Sequence, residues 1–193
     1  MIRAGMTRPP YTDWAMMPES SKQTPRDARD LPVTSGTLRE IGLFGALSDE
    51  ILDYLARTLK TSRVSPGDTV FLEGEGLARE MYVLLDGEME VSKRSRRGRD
   101  KRIAILGPTD WFGEMSMLDM QPRSATVRAL APSRMLRMTS EDLDALYRFD
   151  VKSYALIVLN IARDLSRRLR VTDGILADFA VNVLDEYVVA QKL

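Results

Sequence analysis

Between Ser62 and Met138 the apolar residues of this chain come in short bursts, each cut off by residues that turn the backbone. The bursts are Thr69–Leu72, Met81–Leu85, Met89–Val91, Ile103–Leu106, Ala125–Ala129 and Met135–Met138, and the breaks are Pro66-Gly67-Asp68, Gly74-Glu75-Gly76, Asp86-Gly87, Gly98 and Gly107-Pro108. Many short strands at close spacing predict a sandwich or barrel. Asp86-Gly87 reads as a two-residue hairpin turn, because both residues tolerate positive φ. On either side the period becomes helical. From Leu38 a helical pattern begins, and Ser48 is suited to cap a helix whose apolar face is Ile51, Leu52, Leu55 and Leu59, with Asp49 and Glu50 on the first turn where the dipole favours them. After Met138, Thr139 or Ser140 caps another helix.

From Val158 onward apolar or small residues recur at spacings of four and three: Val158, Ala162, Leu165, Leu169, Thr172, Leu176, Phe179 and Val183. This is a coiled-coil seam. Gly174 weakens it by about 1 kcal/mol relative to alanine. Packing on the chain's own strands explains the first turns equally well. The full run outreaches a domain of this size, so a partner helix is expected, and with it a homodimer.

Residues 1–36 follow no period. Pro9, Pro10, Pro18, Pro25 and Pro32 punctuate polar sequence, which reads as a mostly disordered tail. Tyr11, Trp14, Met16 and Met17 give it the alternative of a partner-binding peptide. The strongest charge run, Lys93 to Arg102, reads as a solvated hairpin turning at Gly98, the alternative being a contact to phosphate backbones or anionic lipid. No aromatic residue interleaves with it, which argues against stacking on single strands.

Composition narrows the chemistry. The 193 residues suit one domain plus flanking segments, and a formal net charge of +0 leaves no global field to recruit nucleic acid or membrane. Neither cysteine nor histidine is present, which removes disulfides, thiolate and Ser-His-Asp catalysis and nearly every zinc site. No acidic cluster suggests a magnesium site, so neither an enzyme nor a metal protein is expected. The longest apolar run, Tyr154–Leu159, ends at Asn160, too short to span a bilayer, and the N-terminus lacks a secretion signal. A cytoplasmic protein without a membrane partner is expected.

The chemistry sits between Trp111 and Arg128. Gly113 lets backbone approach a ligand closely, and the helical turn over Met115–Leu118 presents free N–H groups to an anion. Arg123 can offer a planar fork to two phosphate oxygens, and Glu114 can accept from a hydroxyl, as carboxylates do for ribose in other nucleotide folds. A phosphate and a ribose hydroxyl in one small site describe a nucleotide.

Phe112-Gly113-Glu114-Met115-Ser116-Met117 and Pro122-Arg123-Ser124-Ala125-Thr126-Val127 resemble the phosphate-binding cassette of cyclic-nucleotide-binding domains, and the resemblance runs from about Leu43 to about Asp185. It implies an α+β fold: a jelly-roll-like β-roll with flanking helices over 37–150, and a dimerisation helix with its C-terminal extension over 151–193. It implies ligand contacts from Gly113, Glu114, Met115, Ser116, Arg123, Ser124 and Ala125, with Glu114 on the ribose 2′-hydroxyl, Arg123 on the cyclic phosphate and Ser124 beside it. Arg167-Arg168-Leu169-Arg170-Val171-Thr172 is similar to the central helix of the bacterial catabolite-activator branch. There the threonine reads the adenine amino group and the next residue reaches the base in the other subunit. That next residue is Asp173 here, where the branch has serine. Thr172 and Asp173 therefore join the expected ligand contacts, with cAMP as the expected ligand and cGMP the alternative. No helix-turn-helix segment follows within this sequence, so direct DNA binding is not expected and output is expected to pass to a partner protein. The competing readings are a scaffold domain that kept the fold without the ligand, and a transcription-associated regulator.

Overall fold

A computed structural model describes residues 32–76, 79–95 and 98–190, with side chains to residue 181. The expectations for most of the tail, for Arg96 and Arg97 and for the side chain of Val183 lie outside the described residues. The N-terminal helical segment begins at Ser35, ahead of the Leu38 onset of the pattern: α1 (Ser35–Arg39) is closed by a capping box in which the Thr34 hydroxyl accepts from Thr37 N at 3.2 Å. A 3-10 turn (Gly42–Phe44) leads to α2 (Asp49–Thr58), whose N-cap Ser48 accepts from Ile51 N.

The strands are β1 (Lys60–Val64), β2 (Thr69–Phe71), β3 (Glu80–Asp86), β4 (Met89–Arg94), β5 (Asp100–Leu106), β6 (Trp111–Phe112), β7 (Thr126–Ala129) and β8 (Ser133–Thr139), with α3 (Glu114–Asp119) between β6 and β7. They form two antiparallel four-stranded sheets, β1-β8-β3-β6 and β2-β7-β4-β5. All six expected bursts contain strands. The polar edge strand β1 and the two-residue β6 were not in the pattern, because Lys60-Thr-Ser-Arg-Val64 has no apolar alternation to signal it.

Period-two alternation in β3 builds two cores at once. Met81 and Val83 face the helices with Leu136, Met138, Leu38, Phe44, Leu52, Leu55, Ile157 and Ile161, while Tyr82 and Leu84 point between the sheets toward Phe71, Met89, Phe112, Val127 and Met135. The fold class is the expected β-roll. The Asp86-Gly87 expectation is corrected in one respect: β3 and β4 are not paired with each other but lie in different sheets. Gly87, at φ 100°, turns the chain from one sheet to the other where a Cβ would lie 2.7 Å from Ser133 Cα. The residues favouring a primed turn also favour such a corner, since both need positive φ. The basic run does form a hairpin, with Arg94 opposite Asp100 and Gly98 N donating to Ser95 O at 2.8 Å.

Thr139 and Asp142 form the capping box of α4 (Ser140–Phe149). Helix α5 (Val151–Ala190) runs for 40 residues. Its early turns are seated on the roll: Ile157 and Ile161 are fully buried, each burial contributing about 1.5–3 kcal/mol. Asn160 Nδ2 donates to Leu43 O and Gly45 O at 3.1 and 3.0 Å, tying α5 to the 3-10 turn. Leu165 is the last expected seam residue that packs on this core; Leu169, Leu176 and Phe179 are exposed.

The corner at Gly87 is testable. Gly87→Ala combines a left-handed φ with a clash against backbone and is expected to lower stability by at least about 1 kcal/mol in urea denaturation, whereas Gly67→Ala, with equally positive φ but open space around it, loses less.

Candidate functional site

One cleft of about 740 Å³ opens between the second sheet, the β6–α3 corner and α5. Phe71, Val91 and Ile103–Leu106 form one wall, Gly113–Ser116 and Arg123–Ala125 another, and Asp164, Arg167, Arg168, Val171, Thr172 and Ile175 close it from the helix. All the expected ligand contacts except Asp173 line it.

Gly113 (φ 84°) caps α3 in the left-handed region, and a Cβ there would sit 2.7 Å from Arg123 Nη1. The missing side chain is thus the space into which the arginine packs. Arg123 is 3% exposed and lies with its guanidinium 4.0 Å above the ring of Phe71. Its Nη1 donates to Glu80 O at 2.8 Å, Gly113 O at 3.1 Å and Ser116 Oγ at 3.1 Å. Nη2 stands 3.9 Å from Glu80 Oε1, and Nε is buried with no hydrogen-bond partner among the described residues. Nε and Nη2 make up the side-on fork of a guanidinium, so the protein ties down the third nitrogen by hydrogen bonds and leaves Nε without one. Burial pulls the pKa of Arg123 below its ordinary value against the pull of Glu80.

Glu114, 3% exposed, begins α3. Arg168, from α5, reaches across the cleft to it: Nη1 donates to Glu114 Oε1 at 3.2 Å and Nη2 to Trp111 O at 3.1 Å. The Nε of Arg168 is 2.8 Å from Asp164 Oδ2, and Arg167 donates to the other oxygen of Asp164 at 3.0 Å. Two carboxylates therefore share one guanidinium. Burial raises the pKa of Glu114 above the ordinary carboxylate value, Arg168 only partly opposing it.

Ser124 is exposed, its hydroxyl 3.5 Å from Met115 Sδ, and Ala125 is buried behind it. Thr172 faces the cleft but donates to Arg168 O of its own helix at 2.9 Å. Asp173 is exposed and does not line the cleft of its own chain. Sequence reasoning missed the roles of Arg168 and Asp164. A signal was present, since Asp164, Arg168 and Thr172 are spaced by four and share one helix face. It missed Phe71 and Glu80 too, because nothing local to β2 or β3 marks them as neighbours of a residue some forty to fifty positions on. Among the described residues no group of three or more acidic side chains is placed to hold a metal ion, and no helix is long and apolar enough to cross a membrane.

Residues 61–149 match the family described as the cyclic nucleotide-binding domain. The chain is 33% identical over 141 residues to the CRP-like cAMP-activated global transcriptional regulator of Mycobacterium tuberculosis, covering 73% of this chain and 61% of that protein. The crystal structure of the N-terminal domain of a transcriptional regulator from Streptomyces coelicolor A3(2) is similar at 30% identity and a TM-score of 0.61, over 69% of this chain and 92% of that one. Catabolite activator protein from Thermus thermophilus is similar at 31% identity and a TM-score of 0.64, over 72% and 63% respectively. The chain spans about three-fifths of the length of the CRP-like and cyclic AMP receptor relatives it matches.

The raised pKa of Glu114 carries a signed consequence. A carboxyl whose folded-state pKa lies above its unfolded value adds stability below pH 4.5 that is lost as pH rises through the folded value. Glu114→Gln is therefore expected to melt above wild type at neutral pH, the gap closing as pH falls toward the ordinary carboxylate range. Thermal melts of both proteins across that window check the sign.

Proposed function

The chain belongs to the cyclic nucleotide-binding domain family, and from that premise we propose that it is a sensor that takes cAMP into the cleft beneath α5, dimerises through the exposed half of that helix and signals occupancy to a partner protein. The observation that carries this reading is Arg123: a guanidinium enclosed by protein, tied down through one nitrogen, with its Nε unpartnered beside the cleft. A cyclic phosphate supplies the matching oxygens. Glu114 is the acceptor for a ribose hydroxyl, and Ser124, Ala125, Met115 and Ser116 line the phosphate end. The apolar wall of Val91, Ile103 and Ile105 with Val171 and Ile175 suits the faces of a purine.

cAMP is preferred over cGMP on two grounds. The relatives named above or matched at similar identity include a cAMP-activated regulator and a cyclic AMP receptor protein. Asp173, an acceptor only, favours the exocyclic amine of adenine over the carbonyl of guanine. Because Asp173 does not line its own cleft, this contact belongs to the base held by a second copy. Helix α5 supports such a copy: Leu169, Leu176 and Phe179 are 60%, 63% and 64% exposed on the expected seam. Ligand-dependent signalling follows if the ligand favours one of two α5 arrangements, because an equilibrium shifts only by differential affinity. Arg168 is the α5 residue that hydrogen-bonds Glu114, so a hydroxyl bound by that carboxylate would meet the contact Arg168 makes at Oε1.

Arg123→Ala removes charge-assisted bonds worth about 1.5–3 kcal/mol each and is expected to weaken cAMP at least about a hundredfold in calorimetric titration, with lysine restoring only part for want of the fork. Intact affinity in a folded Arg123→Ala protein rejects the assignment and favours the scaffold reading. Leu169→Glu with Leu176→Glu places unpaired charge on the seam without touching the roll's core, and is expected to give monomers by light scattering. A persistent dimer puts the interface elsewhere.

A further inference from the structure

We propose that Glu80 sets how strongly the cleft attracts an anionic ligand, by sharing with that ligand the task of neutralising Arg123. The inference rests on the cyclic-nucleotide reading of the cleft and adds a residue to it that lies outside the cassette and does not line the cleft. Glu80 acts on Arg123 in two separable ways. Its backbone carbonyl accepts from Arg123 Nη1 at 2.8 Å, which fixes the guanidinium in space. Its carboxylate does not hydrogen-bond Arg123; Oε1 stands 3.9 Å from Nη2, close enough to act by charge alone.

That carboxylate is itself held. Tyr82 donates its hydroxyl to Oε1 at 2.6 Å, and Arg137, across the strand pair on β8, donates to Oε2. Burial by itself would raise the pKa of Glu80; the bonds from Tyr82 and Arg137 outweigh it and keep the group ionised. Burial and the bond to Glu80 hold Tyr82 protonated, its pKa pushed up to about 12 with Arg137 only partly opposing them. The cluster is thus Arg123⁺, Glu80⁻ and Arg137⁺, with the first cation buried and the last half-exposed.

A buried cation needs nearby negative charge, and only part of it comes from Glu80 at 3.9 Å. Glu75 and Glu114 add weaker attraction, and a ligand phosphate on the Nε–Nη2 fork would supply more. The two anions then lie on one guanidinium and repel each other, so the charge that helps to neutralise Arg123 in the ligand-free fold also opposes the phosphate. Arg137 moderates this by drawing charge off Glu80. The two residues therefore have opposite effects: removing the anion favours the ligand, and removing the outer cation disfavours it. A cluster that served only to support the roll would weaken binding whichever member was lost.

The experiment uses the full chain and four proteins: wild type, Glu80→Gln, Arg137→Gln and the double variant. Glutamine keeps the backbone carbonyl and one acceptor oxygen for Arg137, while its amide nitrogen can donate to the Tyr82 hydroxyl. Calorimetric titration with cAMP is expected to show Glu80→Gln binding about three- to tenfold tighter than wild type, Arg137→Gln weaker by a similar factor, and the double variant between them. The ligand-free Glu80→Gln protein is expected to melt below wild type and to gain more from saturating cAMP. Adenosine, which lacks the phosphate, is expected to compete equally with all four. Glu80→Gln binding cAMP no tighter than wild type, or both single variants shifting in the same direction, overturns the inference while leaving the cyclic-nucleotide reading intact. Wild type failing to bind any cyclic mononucleotide overturns both.

Discussion

The enclosed charge of Arg123 is the constraint around which the molecule is arranged. A cation inside protein is tolerable only where carbonyls, a hydroxyl, an aromatic face and a counter-charge converge on it. Those groups come from four separate places: Phe71 on β2, Glu80 on β3, Gly113 before α3 and Ser116 within it. The roll must close for them to meet. The two-sheet topology and the corner at Gly87 are thus conditions for the site as well as features of the fold.

A second constraint follows from how α5 is attached. It is seated by Ile157, Ile161 and Asn160, and further along it meets the cleft through Arg168 and Thr172. Among the described residues, the hydrogen bonds that cross the cleft from α5 to the cassette are those of Arg168, on Glu114 and on the carbonyl of Trp111. The cleft and the helix are therefore in electrostatic contact at a carboxylate whose ionised form burial already disfavours. On the proposed reading, that is where a ligand hydroxyl acts.

Much of this was legible in the sequence because the decisive residues are consecutive. Gly113-Glu114 and Arg123-Ser124-Ala125 carry their chemistry in order along the chain, and Ser48 and Thr139 announce their helices through side chains that cap the backbone next to them. What stayed hidden depends on distant partners. Lys60–Val64 becomes a strand only because β8 offers it an edge, and Glu80 acquires meaning only when Arg123 is folded onto it. Asp86-Gly87 shows the opposite failing: local chemistry fixed the backbone angle correctly but could not say which sheet the next strand would join. On α5 the apolar seam drew attention away from the polar face, where Asp164, Arg168 and Thr172 follow one another at equal steps.

The length of α5 beyond its seat has a mechanical consequence. From Asn160 to Ala190 the helix extends about 45 Å at 1.5 Å per residue, so a tilt of about 5° at the seat sweeps its far end through about 4 Å. Arg168 lies about 12 Å along the helix from Asn160, so the same tilt displaces its backbone by only about 1 Å. On the proposed reading the helix is a lever arm that pivots where Asn160 meets the 3-10 turn, and its gain is set by how many residues lie beyond that pivot.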